Sequence, residues 1–168
     1  MIEKYPAILI RFAVYLLLQI VFFKDIALFN RAVCLVYILP LLLLPLNTKP
    51  WQLMLIAFAL GFLTDVFYAT GGLHTAACVL LAFARPYILN LIVPSGGYDM
   101  SAEPFLFLMG MRWFLTYGFI TVALHHLSLF LFESLTLTNI FQTILTALLS
   151  SLFTLTVIVI LQVLFHRN

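Results

Sequence analysis

Apolar residues run along this chain in long blocks, and charges, prolines and turn residues separate one block from the next. Cut at those breaks, the sequence yields six apolar stretches, residues 6–23, 32–46, 51–68, 73–93, 104–132 and 140–165. Each is near the roughly 20 residues that carry a helix across about 30 Å of hydrocarbon. The strict in/out alternation over about ten residues that marks a barrel strand is missing, so helices are expected. The predicted fold is an all-α integral membrane protein, a single domain over residues 1–168 of six transmembrane helices with short loops.

The breaks refine that outline. The stretch 32–46 is short and carries Pro40, which predicts a kinked or shallow, tilted helix. "LNTKPW" is a tight turn into the third span, and "ATGGLH" reverses the chain with almost no loop, so the third and fourth spans should pack as an antiparallel hairpin. Arg85 and Pro86 mark the approach to an interface, beyond which the chain either continues as helix or lies on the surface. The fifth stretch is too long for one perpendicular crossing. Its opening, "PFLFLMGMRWF", reads as interfacial, with Arg112 and Trp113 at the boundary.

Composition supports the membrane assignment: 65% of residues are hydrophobic and 8% charged, with a mean hydropathy of +1.19. A soluble domain of this length could not cover itself with so few polar groups. The N-terminal "MIEKYPAILIRFAVYLLLQIVFFKD" has no small-x-small cleavage site and reads as a retained first helix. Six crossings would put both termini on one side. Lys4, Arg11, Lys49, Arg85, Arg112 and Arg167 fall at that set of ends, against Lys24 and Arg31 at the other, which predicts cytoplasmic termini. Cys34 and Cys78 each fall in an apolar stretch and read as small core hydrophobes. A net charge of +2 with no basic cluster gives no sign of nucleic acid binding.

Chemistry-bearing residues are few. Asp65 follows Trp51 by fourteen positions, about 21 Å along a helix and close to the outer interface. Gly61 lies one turn below it, and the Gly71-Gly72 turn returns His74 to a similar depth. Asp65 and His74 could form a carboxylate-imidazole pair for proton or ligand traffic. Alternatively, Asp65 accepts hydrogen bonds from the Thr70 to Leu73 amides and fixes the reversal; this reading is preferred, because the depth is shallow and the turn's donors need partners. Arg11, Arg85 and Arg112 read as snorkelling anchors, His125 and His126 as outer-interface residues, and Glu133 as a solvated carboxylate. In the last span Thr143, Ala147, Ser150 and Thr154 share one face, a small-residue stripe for packing within the chain or against a partner. No nucleophile with its base, paired carboxylates, metal set or cofactor motif is discernible.

The stretch "GFLTDVFYATGGLH" with its continuation "TAACVLLAFARPYIL" resembles the rod shape-determining MreD family, closest to its Bacteroidetes form: Gly61, Asp65, Gly72 and Leu73 match its motif, and His74, Arg85 and Pro86 fit the subgroup. The resemblance implies a non-enzymatic subunit of the bacterial inner membrane, without cofactor, in the cell-elongation machinery. Implied partners are the membrane-anchored MreC and, indirectly, the MreB filament, RodA and a class B penicillin-binding transpeptidase. It also implies a fold like the substrate-binding subunits of energy-coupling-factor transporters, which leaves a vitamin-binding transporter subunit as the alternative function.

Overall fold

The computed structural model describes residues 4–28, 31–134 and 139–165. Arg167 and the middle of the expected "ESLTLTN" turn, 135–138, lie outside the described residues. In chain order the elements are α1 (Lys4–Leu18), a π-helical turn (Gln19–Phe23), a two-residue ladder of β1 (Ala27–Leu28) and β2 (Ala32–Val33), a 3-10 turn (Val36–Ile38), and α2 (Leu39–Leu42). There follow α3 (Pro50–Tyr68), α4 (Leu73–Leu91), α5 (Leu106–Met109), α6 (Met111–Ser134) and α7 (Ile140–Leu164). Among the described residues five segments are long and apolar enough to cross a membrane: Pro6–Phe23, α3, α4, α6 and α7.

The expected second spanning helix is not one. Over Ala32–Leu46 the chain is first extended, then a single 3-10 turn, then the four residues of α2. Local chemistry explains the break. Val33, Val36, Tyr37 and Ile38 are β-branched or aromatic and poor in helices. Pro40 is tolerated only in a first helical turn, where it sits in α2, and Pro45 stands just beyond its end. This segment nevertheless runs the length of the bundle. At one end Lys24 Nζ donates to Phe67 O at 2.9 Å, which sets the end of the first helix beside the end of α3. At the other, the Leu46 and Asn47 amides donate to Ala102 O at 3.0 Å and Met100 O at 2.9 Å. Extended residues advance about 3.3 Å each against 1.5 Å in a helix, so few are needed to cover the distance.

It is also the centre of the molecule. Cys34, Val36, Tyr37, Ile38, Leu39 and Leu41 are all 0% exposed, and the helices surround them. Cys34 therefore belongs to extended backbone rather than to a helix, though it is buried as expected. The expected fifth span divides at Gly110, whose φ of 82° ends α5, and α6 begins with Met111. Arg112 and Trp113 thus stand in the first turn of the crossing helix. Beyond Pro86 the chain stays helical to Leu91, and the freed end of α4 is capped by side chains. The single Tyr98 O–H is shared between Leu89 O at 2.9 Å and Ile92 O at 3.1 Å, and Trp113 Nε1 donates to Ile92 O at 2.9 Å.

The α3-α4 hairpin is as tight as its turn requires. Ala69, Gly71 and Gly72 have φ of 55°, 62° and 105°, and Gly61 abuts the start of α4 so closely that a Cβ there would lie 2.5 Å from Thr75 Cα and 2.8 Å from His74 O. Neither atom belongs to a flexible side chain. Gly61→Ala is accordingly expected to lever the two helices apart and destabilise the protein by about 1–3 kcal/mol, read as a lowered thermal midpoint in detergent; an unshifted midpoint would show that the helices can separate freely.

Candidate functional site

Three clusters of buried polar side chains occupy the interior, and each begins from a residue or a segment discussed above. Asp65 stands in the last turn of α3 and is 6% exposed. Its Oδ1 accepts the Thr70 hydroxyl at 2.5 Å and the His74 amide at 3.0 Å. Its Oδ2 accepts the Thr75 amide at 2.9 Å and the Thr75 hydroxyl at 2.5 Å. Two of these donors are orphan amides of the first turn of α4, which a helix start always leaves over. The carboxylate of one helix thus caps the next, as expected, but through the amides of His74 and Thr75 and not those of Thr70 to Leu73, whose donors at 70 and 73 bond backbone carbonyls, nor through the imidazole.

The His74 ring turns the other way, into the second cluster, whose hub is the fully buried Tyr37. Tyr37 Oη lies 2.9 Å from His74 Nδ1, 2.9 Å from His125 Nε2 and 3.7 Å from Cys78 Sγ. A phenol donates once and accepts twice. His125 Nδ1 is buried without a partner among the described residues, and an orphan lone pair costs less than an orphan N–H. That fixes the proton order: His125 Nε2–H and Cys78 S–H donate to the phenol oxygen, and the phenol donates to His74 Nδ1. Beside it, His126 Nδ1 donates to Val122 O at 2.9 Å, so its Nε2 accepts the Thr154 hydroxyl at 3.2 Å. Both histidines are 0% exposed, which corrects their expected place at the outer interface.

The third cluster is Arg85, expected as an interfacial anchor yet only 2% exposed. Its guanidinium donates to Tyr117 Oη at 2.8 Å, Leu42 O at 3.2 Å and Leu44 O at 2.5 Å, and Tyr117 Oη donates to Leu42 O at 3.0 Å. A guanidinium has five donors in a fixed fork, which lets one side chain take both the Leu42 carbonyl at the end of α2 and the Leu44 carbonyl beyond it. Pro86, next in the chain, costs α4 no more than one internal bond there.

These clusters share a task along the central segment. The Val33 amide donates to Ser150 Oγ at 3.1 Å and the Leu35 amide to Thr154 Oγ1 at 3.0 Å. Gln19, turned inward by the π-helical turn, donates to Cys34 O at 3.0 Å and Tyr68 Oη at 2.7 Å and accepts the Tyr37 amide at 3.4 Å. Ser150 and Thr154 of the small-residue stripe therefore face the central segment, Ala147 is buried with them, and none of the three is available to a partner's helix; the Thr143 hydroxyl bonds Asn139 O, just before α7. Gln19, Tyr37 and Tyr117 were absent from the sequence reading. Tyrosine and glutamine inside apolar blocks are the signal that could have found them, since neither is buried without partners. Arg11 bonds Glu103 at 2.7 Å, and Arg112 and Glu133 are exposed as anchors and solvated groups are. No group of three or more His, Cys, Asp or Glu able to hold a metal ion occurs among the described residues.

Two pairs of substitutions test this geometry. Arg85→Met and Tyr117→Phe each strip donors from the same carbonyls, at about 1–3 kcal/mol per buried group left unpaired. Their double-mutant cycle should show coupling of about 0.5–3 kcal/mol in detergent unfolding, and strictly additive losses would deny that they act on one target. In the hairpin, Asp65→Asn keeps one acceptor oxygen, whereas Gly72→Leu forces a branched side chain into a φ of 105°; the glycine variant should unfold at the lower denaturant concentration, and the reverse order would remove the case for capping.

The chain matches no protein-family model, no curated protein and no solved structure.

Proposed function

We propose that this chain is a non-enzymatic scaffold of the bacterial inner membrane that acts by binding the membrane segments of partner proteins, as the resemblance of its Gly61–Leu89 stretch to the MreD family implies. In this reading the central segment is the second of six crossings and both termini are cytoplasmic. The direct partner is the anchored MreC. MreB, RodA and a class B penicillin-binding transpeptidase are reached through it, and membrane lipid covers the remaining surface.

One observation carries the reading: the interior polar side chains described are engaged, with the exception of His125 Nδ1 and Gln162 Nε2, in hydrogen bonds to the chain's own backbone or to one another, so what is left to offer outward is apolar helix surface. The first helix offers the most, with Leu9, Ile10, Leu17, Val21 and Phe22 each more than half exposed. A vitamin-binding subunit would instead need Asp65, His74, His125 and Asn139 to converge on one solute. Asp65, His74 and His125 are held in internal hydrogen bonds, and Asn139 lines a separate cavity with Glu133 and Gln142.

The test is co-purification from detergent. MreC should be retained and an unrelated single-pass protein lost, with retention falling in a Leu9→Glu, Val21→Glu variant of the exposed face. Equal recovery of both single-pass proteins, or rod-shaped cells that stay rods on depletion, would end the scaffold reading.

A further inference from the structure

Between α1, α5 and α7, at the end of the bundle where Arg11 meets Glu103, lies a cavity of about 750 Å3. That is within the roughly 300–1,000 Å3 of small-molecule sites. Its walls include Tyr15, Phe105, Leu108 and Phe165, and Leu108 and Phe165 are more than half exposed, so the cavity reaches the surface that lipid covers. One polar group in it is unaccounted for. Gln162 lines the cavity and is 7% exposed. Its Oε1 accepts the Leu106 amide at 2.9 Å, which fixes the side chain's orientation, while its Nε2 is buried with no partner among the described residues.

A buried N–H group left unmade costs about 1–3 kcal/mol, so an acceptor lodged in the cavity would offset that cost. Charge narrows its identity. Arg11, the cation in the wall, is already bonded to Glu103 at 2.7 Å and lies 4.9 Å from the centre of the Phe105 ring. The cavity is therefore close to neutral, and what Gln162 lacks is an uncharged acceptor. Depth narrows it further. Arg11 stands two turns from the start of α1 and Gln162 in the last turn of α7, so the cavity lies toward the ends of two candidate spans, where the polar interface of a bilayer gives way to hydrocarbon.

We propose that this cavity holds one glycerophospholipid of the adjoining leaflet, its acyl-ester carbonyl accepting from Gln162 Nε2 and its chain lying against Tyr15, Phe105, Leu108 and Phe165. The inference rests on membrane insertion and not on the scaffold reading, so either can fail alone.

The test uses the full chain in detergent and native mass spectrometry, with a diester phosphatidylglycerol, its diether analogue lacking ester carbonyls, and a diester phosphatidylethanolamine as probes. One diester lipid should be retained per chain, with the diether held roughly three- to tenfold more weakly, as loss of one hydrogen bond implies. The two diester headgroups should bind alike. Gln162→Met should bring the diester down to the level of the diether, and Leu108→Trp, which crowds the cavity's rim and leaves Gln162 in place, should weaken both alike while the thermal midpoint stays near that of the wild type. Equal retention of ester and ether lipids, no retained lipid, or a more than tenfold preference for the anionic headgroup would each overturn the assignment.

Discussion

Backbone that is not helical cannot pair its own amides and carbonyls, and inside a membrane no water will do it instead. The central segment of this protein, Ala32–Leu46, meets that constraint by being surrounded with side chains that serve as its hydrogen-bonding partners. Ser150 and Thr154 receive its first amides, Gln19 takes one carbonyl and one amide, and Arg85 with Tyr117 takes the carbonyls at its far end. Those residues come from four different elements of the bundle, namely α7, the π-helical turn, α4 and α6. The segment thus fixes the relative rotation of the helices around it. A helix in the same position would have satisfied itself and left its neighbours free to slide.

The same constraint explains what could be read in the sequence and what could not. Hydropathy located α3, α4 and α7 almost to the residue, because a helix that faces lipid on one side is apolar over its whole length and ends where Trp51, the "ATGG" turn and Asn139 interrupt it. It failed at 32–46 because a buried extended segment and a buried helix are equally apolar. Only Pro40, Pro45 and the β-branched run distinguished them. Gly110 inside an apolar block likewise carried the break between α5 and α6 in its backbone freedom, a property that hydropathy does not measure.

Charge was harder still. Depth arguments placed Arg85 near an interface because an arginine in hydrocarbon is costly. The cost falls when carbonyls replace the hydration shell, and the sequence does not say that Leu42 and Leu44 present theirs at that height. His125 and His126 illustrate the same point: adjacent on α6, they point to different neighbours, one to Tyr37 and the other to Thr154. Asp65 was legible because its donors are local in sequence, within ten positions, whereas Tyr37 and its histidines lie 37 and 88 positions apart.

An aspartate in so apolar a chain is then understood as a substitute for missing loop. A reversal of four residues leaves the first amides of α4 beside the last turn of α3, and the carboxylate of Asp65 reaches them because Gly61 lets the helices approach. The two features require each other: a wider helix spacing would take His74 N and Thr75 N out of reach, and without the acceptor the close approach would bury unpaired donors. The buried polar groups of the interior follow this pattern of mutual need, with two exceptions, His125 Nδ1 and Gln162 Nε2. They differ in kind. An imidazole can choose the tautomer that leaves a lone pair bare, but a primary amide whose oxygen is committed has no such choice, and its N–H is left without a partner among the described residues.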